Sequence, residues 1–354
     1  MKKLLFGITN LGIGGAERVL VDLVNNLSSY YDIEIFTIYN GGIFEKELNS
    51  NIKISSLLDK SFEELNIFKR KMISLKLFLG FYKNKINDKL EDKDTIIAFL
   101  EGPITKLFSN VKKYKVAWIH TDLTKHYSKN KLKEYKKNYM NYDKIIFPSN
   151  FIKEKFDKEF KNIFLKKELV IENYINEERI LNKTKEFIDF KYKIPNFLVI
   201  GRFVKAKGYE RLLSVHEKLI TEGLIHYIYV IGEGPLKNEI SDLIKEKKLD
   251  KTFILLGAKE NPYPYLKNAE VLLSASFYEG FGMTALEAKI LGKKVISTNT
   301  AVSEVLEDYE NKVICENDEN GLYNSLKEHL MNENDVKKPY VYNNKIIEKI
   351  KKIL

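Results

Sequence analysis

Short apolar runs closed by turn residues alternate with stretches of helical apolar spacing along the whole chain. In the first half, Lys3–Thr9, Ile33–Tyr39, Thr95–Leu100, Val116–His120, Lys144–Pro148 and Leu169–Glu172 predict strands. In the second, Phe197–Gly201, His226–Ile231, Thr252–Leu256, Glu270–Ser274 and Lys294–Thr298 do so. Parallel neighbours need crossover connections, so strands separated by helices predict an α/β protein with parallel sheets. Between the halves, Asn173 to Pro195 is polar and ends before a fresh apolar run, which places a domain junction there. Domains of 1–180 and 181–354 follow, each expected to carry its own doubly wound sheet. The last segment, 340–354, spaces Ile346, Ile350 and Ile353 at helical intervals. It predicts an amphipathic helix packed on a domain, with a return to the N-terminal one as a candidate arrangement.

Composition narrows the classes. Hydrophobic residues are 44% and charged residues 31% of the 354, which excludes a disordered chain. The net charge of +10 favours anionic partners: nucleic acid, anionic lipid or phosphorylated substrates. The lysines are dispersed and no recognised nucleic-acid motif is present, so a basic nucleic-acid-binding protein is the reading of another class, and no nucleic-acid partner is expected. Cys315 is the sole cysteine, which excludes a disulfide framework and four-cysteine zinc sites. Five thinly spread histidines give no metal cluster. The apolar stretch Ile73–Tyr82 carries Lys76 and falls short of the ~18 residues of a membrane span. At the N-terminus, Gly7, Thr9 and Asn10 interrupt the apolar run and Glu17 and Arg18 follow, so the segment reads as the first strand of a cytoplasmic protein.

Three motifs can carry chemistry. The first is Gly12-Ile13-Gly14-Gly15-Ala16-Glu17-Arg18 after the first strand, where glycines let backbone amides approach a ligand at a helix N-terminus. Glu17 stands where a dinucleotide fingerprint needs a small residue, and Tyr39-Asn40 offers no ribose-binding acid, so an oxidoreductase is disfavoured. A tight turn with no ligand is the plainer reading. The second is Gly201-Arg202-Phe203-Val204-Lys205-Ala206-Lys207-Gly208 at the end of a predicted parallel strand. Arg202 offers a planar fork for phosphate oxygens and Lys207 a point charge, enough to grip a diphosphate. The third is Glu279-Gly280-Phe281-Gly282-Met283-Thr284-Ala285-Leu286-Glu287, a helix N-terminus flanked by two carboxylates. That combination suits phosphates between hydroxyl-bearing sugars. Taken alone, Glu279 could be a loop charge and Glu287 an exposed helix residue. Asp92-Lys93-Asp94 precedes a strand inside a charged stretch and reads as a solvated loop, not a metal site.

These segments closely resemble glycosyltransferase family 4, retaining enzymes of the two-domain GT-B fold. GRFVKAKGYERLL (Gly201–Leu213), VIGEGP (Val230–Pro235), ILLG (Ile254–Gly257) and the pair Glu279 and Glu287 occur in the family's order and spacing. GGAERVL (Gly14–Leu20) matches the first loop of many members, and the likeness is poorest across Asn40–Asp94. The resemblance implies two Rossmann-like domains facing each other across a cleft, an N-terminal acceptor domain and a C-terminal nucleotide-sugar donor domain. It implies a hexosyltransferase of the bacterial capsule or lipid-linked-oligosaccharide type, moving a sugar from a nucleotide sugar, by default a UDP-sugar, to a saccharide hydroxyl. Arg202 and Lys207 would hold the donor diphosphate, Glu287 the ribose and Glu279 the transferred sugar. Amides near Phe281, Gly282, Met283 and Thr284, after Gly280, would meet phosphate or sugar, and Gly14, Gly15, Gly201 and Gly257 would leave room for the donor. His120 fits the place of a histidine beside the reacting sugar, with a core histidine as its plainer reading and His126 a lesser substitute. His216, His226 and His329 read as ordinary helix or strand residues. Catalytic roles thus fall to Glu279, His120, Arg202 and Lys207. No cofactor and no metal are expected, because the two cations and the helix N-terminus already stabilise the leaving diphosphate. Front-face attack, assisted by that phosphate, is the mechanism implied, with domain closure excluding water. An epimerase or phosphorylase on the same fold is the alternative; no motif marks a cofactor lysine.

Basic amphipathic stretches add a partner. Phe62, Leu65, Phe68, Met72, Leu75 and Leu79 alternate with Lys69, Arg70, Lys71, Lys76, Lys83 and Lys85. Leu132, Tyr135 and Tyr139 stand beside Lys131, Lys133, Lys136 and Lys137. Such helices suit an anionic membrane, at about 1 kcal/mol per nearby cation. The expectation is a peripheral enzyme at the inner face of the cytoplasmic membrane, acting on a lipid-linked saccharide. A Lys-rich surface from compositional bias is the plainer reading.

Overall fold

The structure is a computed structural model, and it describes residues 1–61, 64–78, 82–332, 342 and 345–354. The expectations placed on Phe62, Leu79 and the start of the last helix at Tyr340 lie outside the described residues, as do the side chains of Leu75, Lys83 and Lys85.

The chain divides into two compact units, Met1–Ile175 with Asn344–Leu354, and Asn176–Asn343. Strands of the first are β1 (Lys3–Ile8), β2 (Asp32–Tyr39), β3 (Lys53–Leu58), β4 (Thr95–Ala98), β5 (Tyr114–Trp118), β6 (Lys144–Phe147) and β7 (Glu168–Val170). They pair parallel throughout, in the order β3-β2-β1-β4-β5-β6-β7. Strands of the second are β8 (Asn196–Ile200), β9 (Tyr227–Ile231), β10 (Phe253–Gly257), β11 (Val271–Ser274), β12 (Lys294–Thr298) and β13 (Lys312–Cys315). Their order is β10-β9-β8-β11-β12-β13, again all parallel. Helices cover both faces, so the inner strands read as nearly unbroken apolar runs: Leu4, Leu5 and Phe6 of β1 and Ile96, Ile97 and Ala98 of β4 are fully buried.

Each sheet changes direction once. In the first unit the chain grows outward from β1 through β2 to β3, then returns to place β4 on the other side of β1. In the second it grows from β8 through β9 to β10, then returns to place β11 beside β8. At such switch points the loops leaving the two central strands diverge and leave a crevice at the carboxyl ends, where open α/β sheets take their ligands.

The sequence pattern misses β3 and β13, the two outermost strands on their sides. The side chains of KISSLL and KVIC are mostly only part-buried, so no continuous apolar run announces them. The polar stretch 173–195 holds a helix, Glu177–Lys183, whose start is capped by Asn176 Oδ1 accepting from the Arg179 amide at 2.9 Å. The unit boundary falls before this helix at 175/176, not within it at 180/181. The C-terminal helix Lys345–Lys351 buries Ile346, Ile347 and Ile350 within the first unit.

Asp92 and Asp94 lie exposed in a loop, as expected, and are paired there: Asp92 with Lys3 (3.1 Å) and Lys93 (2.9 Å), while Asp94 accepts from the Lys3 amide (2.7 Å). These bonds hold down the start of β1. One further expectation is corrected. In the helix Lys129–Met140, Leu132, Tyr135 and Tyr139 are buried, not available to a membrane. They pack into an aromatic core in which Tyr139 meets Tyr142, Phe156, Phe160 and Phe164 with ring centroids 5.5–6.4 Å apart.

Candidate active site

In the second unit the loop leaving β8 is built to be rigid. Gly201 donates to Ile231 O, and its own carbonyl accepts from the Tyr209 hydroxyl at 2.8 Å. The Tyr209 ring stacks on the buried Phe203, centroids 4.7 Å apart. A single turn, Lys205–Lys207, ends at Gly208, whose φ of +66° is left-handed. The helix Tyr209–Thr221 then starts, and its Arg211 donates twice to the Ala275 carbonyl (2.8 and 2.5 Å). Arg211 therefore clamps the β8 loop to the β11 loop, and Phe277 N bonds Ala206 O at 2.8 Å beside it.

Across that clamped seam lies the charged centre. Lys207 Nζ is 2.6 Å from Glu279 Oε1, and the Ser276 hydroxyl donates to the same oxygen at 2.6 Å. The pair joins the two loops of the switch point, β8's and β11's. Arg202 is exposed and makes no ion pair among the described residues. After Glu279 the backbone passes Gly280 and the buried Phe281 to Gly282, left-handed at φ +97°, which starts the helix Met283–Ile290. No side chain caps this helix, and Gly282 is pressed against Val302, so a larger residue there would collide.

Glu287 is not the exposed helix residue that its position permits. It is 9% exposed, and its Oε1 accepts from the Tyr263 hydroxyl at 3.0 Å, which in turn accepts from Arg179 at 3.2 Å. Burial raises the Tyr263 phenol, with the Glu287 charge adding to it, so the hydroxyl stays a donor. Gly257, at φ +71°, ends β10 after a register shift, and its carbonyl accepts from Gly232. Tyr263 and Ser276 are partners that sequence reasoning did not find: neither lies in a motif, and only the fold brings them to the glutamates.

A cavity of about 350 Å³ is lined by Val204, Lys205, Arg211, Phe277 and Glu319 among others, but by neither Lys207 nor Glu279. It is not the charged centre, and Arg211's donors are spent on backbone carbonyls.

In the first unit, Gly14 caps the helix Gly15–Leu27, and a Cβ on Gly14 would collide with the Glu17 carboxylate. Arg18 of the GGAER stretch is engaged: it grips Glu47 through both nitrogens (2.6 and 2.8 Å) and lies 3.8 Å over the Phe44 ring. His120 follows β5. Its ring packs on Phe99 (4.8 Å) and stacks on Trp118 (6.1 Å, 12°), and its buried Nε2 has no partner. Burial pushes its pKa down to about 4, against a bond to the Phe99 carbonyl, so the ring is neutral near pH 7. His126 is exposed on a four-residue helix.

His216 and His226 are linked, not separate. His216 Nδ1 lies 2.8 Å from His226 Nε2, His216 Nε2 bonds Thr252, and His226 Nδ1 bonds the Leu224 carbonyl. Burial lowers both, His216 to about 3, and the pair ties α-helix to sheet. His329 lies 2.9 Å from Lys294 Nζ. Among the described residues no group of three or more His, Cys, Asp or Glu could hold a metal.

Residues 182–348 match glycosyl transferases group 1. The chain is 29% identical over 96% of its length, and 93% of the relative's, to N-acetylgalactosamine-N,N'-diacetylbacillosaminyl-diphospho-undecaprenol 4-alpha-N-acetylgalactosaminyltransferase of Campylobacter jejuni. Among solved structures it is similar to Anabaena HepE in complex with UDP and glucose (TM-score 0.72, 15% identity, 93% of this chain and 90% of that one). It is also similar to Staphylococcus aureus TarM (TM-score 0.73, 14% identity, 94% and 93%). The fold is GT-B, and the chain is a glycosyltransferase that matches glycosyl transferases group 1 over residues 182–348.

Proposed function

We propose that the protein is a retaining, family 4 glycosyltransferase that moves a sugar from a UDP-sugar to a hydroxyl of a lipid-linked saccharide. The observation that carries this is the Lys207–Glu279 pair, 2.6 Å apart across the β8/β11 switch point and next to the uncapped helix at Gly282. A diphosphate meets cations and amides there, and the sugar beside it meets carboxylates. Lys207 and Arg202 offset charge as it develops on the leaving diphosphate, where preorganised donors act most strongly. Glu279 accepts from hydroxyls of the transferred sugar and Glu287, steadied by Tyr263, from the ribose. The first unit, with His120, receives the acceptor. The diphospho-undecaprenol acceptor of the Campylobacter relative and the UDP bound to HepE are the analogies for acceptor and donor. Among the described residues no group of three or more His, Cys, Asp or Glu could hold a metal, and the proposed mechanism uses none.

The test is thermal stability with a panel of UDP- and GDP-sugars. A donor at 100-fold over its dissociation constant stabilises by about 2.7 kcal/mol, visible as a melting shift. A shift with one nucleotide sugar names the donor; a flat panel refutes the donor site.

Membrane association rests on one helix. In Ile67–Phe78, Phe68 is 77% and Met72 43% exposed, beside the exposed Lys69 and Lys71. Apolar side chains offered to solvent among cations suit insertion at an anionic bilayer. No described helix is long and apolar enough to cross one. The triple variant Lys69→Glu, Arg70→Glu, Lys71→Glu is expected to lose binding to phosphatidylglycerol vesicles in a sedimentation assay. Undiminished binding rules this helix out as the contact.

A further inference from the structure

The first unit holds a carboxyl that no motif predicted and that no ion pair among the described residues explains. Glu101 leaves the end of β4, and β4 and β1 flank the switch point of the first sheet. Its Oε2 accepts from the backbone amide of His120, 2.9 Å away at the end of the neighbouring β5. Its Oε1 takes no hydrogen bond from another residue among the described residues. The groups facing it are Glu17 on the helix that follows the glycine loop, His120 beyond β5, Tyr127, and Tyr135 and Tyr139 on the helix Lys129–Met140. None of these is a cation at neutral pH, and Glu17 repels it. A half-sequestered carboxylate with no cation costs stability, and such a cost is commonly kept where a ligand uses the group.

Resting on the glycosyltransferase reading above, we propose that Glu101 binds the acceptor: its Oε1 takes a hydrogen bond from a hydroxyl of the acceptor saccharide, while Oε2 fixes the loop that carries His120. Three features lie at neighbouring strand ends of the first sheet: the switch-point crevice, a carboxylate oxygen that no other described residue bonds, and the unpartnered His120 Nε2. Hydroxyls donate to both kinds of atom, so a sugar ring with neighbouring hydroxyls satisfies them together. The bond is charge-assisted only when Glu101 is ionised. Burial, with Glu17 adding to it, raises the carboxyl to about 7, while the amides of His120 and Glu101 itself hold it back. The ionised form therefore predominates above about pH 7 and is lost as pH falls through that value.

Glu101→Gln separates this role from a structural peg. The amide keeps a carbonyl oxygen for the His120 N–H but has no charge and does not titrate. Kinetics are run with the nucleotide sugar that stabilises the protein and a panel of p-nitrophenyl glycosides as acceptors, from pH 5.5 to 8.5 as a chosen range. In the wild type the acceptor KM rises as pH falls through about 7. In E101Q the acceptor KM at high pH is raised about 10- to 100-fold, flat with pH, with kcat and donor binding little changed. An acceptor KM like the wild type's overturns the proposal, as does an equal loss of donor binding. A wild type that no nucleotide sugar stabilises sinks the glycosyltransferase reading itself, which is a different result. If E101Q melts far below the wild type, Glu101→Asp takes its place: the charge stays but is withdrawn, and an unchanged acceptor KM again overturns the proposal.

Discussion

Replacing Lys207 by alanine is expected to lower kcat/KM for sugar transfer by about 10²–10³-fold while leaving the melting temperature within a few degrees of the wild type. The kinetic loss is the cost of removing one preorganised group from a developing oxyanion. The structural loss is small because the Lys207 side chain holds no backbone: its bond is to Glu279, and the loop is fixed by Tyr209, Phe203 and Arg211. Glu279 keeps the Ser276 hydroxyl at 2.6 Å. Lys207→Arg is expected to rescue poorly, since a planar fork cannot replace a point charge 2.6 Å from a carboxylate without moving it. Steady-state kinetics and a melting curve on the same preparation check both halves. Equal falls in activity and stability would mean that Lys207 is a structural residue.

The second large effect is on folding. Gly208→Val is expected to destabilise the second unit by about 3–5 kcal/mol, a melting shift on the order of 10 °C. Two costs add. At φ +66° a β-branched residue is strained. A Cβ there would also fall within 3.0 Å of the Ala275 carbonyl oxygen, the acceptor that Arg211 uses to clamp the two loops. Gly223 is the control: its φ is +85°, but no atom lies within 4 Å of a built Cβ, so Gly223→Val carries the strain without the collision. Calorimetry of the two variants separates the terms. If both melt alike, the close approach at Ala275 contributes nothing.

The strands of both cores were legible because central parallel strands are apolar on both faces and leave no ambiguity of period. The candidate donor residues were legible for a different reason: Arg202, Lys207, Glu279 and Glu287 stand at fixed spacings around glycines, and two of those glycines, Gly208 and Gly282, are left-handed in the structure. What stayed hidden depends on contacts distant in sequence. Tyr263 reaches Glu287 across 24 residues and Glu101 reaches His120 across 19, and neither separation follows a local rule. The membrane reading failed at Tyr135 and Tyr139 because an amphipathic face looks the same in sequence whether it meets lipid or a neighbouring Phe156.

The edge strands β3 and β13 have a consequence for solubility. A sheet edge offers unpaired amides and carbonyls to any passing strand, and long apolar edges invite aggregation. Here β3 opens with an exposed Lys53 and follows with Ser55 and Ser56, whose hydroxyls are tied back to Glu34 and Thr37 on β2. β13 opens with Lys312, whose ammonium caps the carbonyls of Leu306 and Glu307. Both strands thus lack the stickiness that would recruit a foreign chain. The same polarity that conceals them from a hydrophobic pattern keeps two wide, open sheets from growing past their last strand.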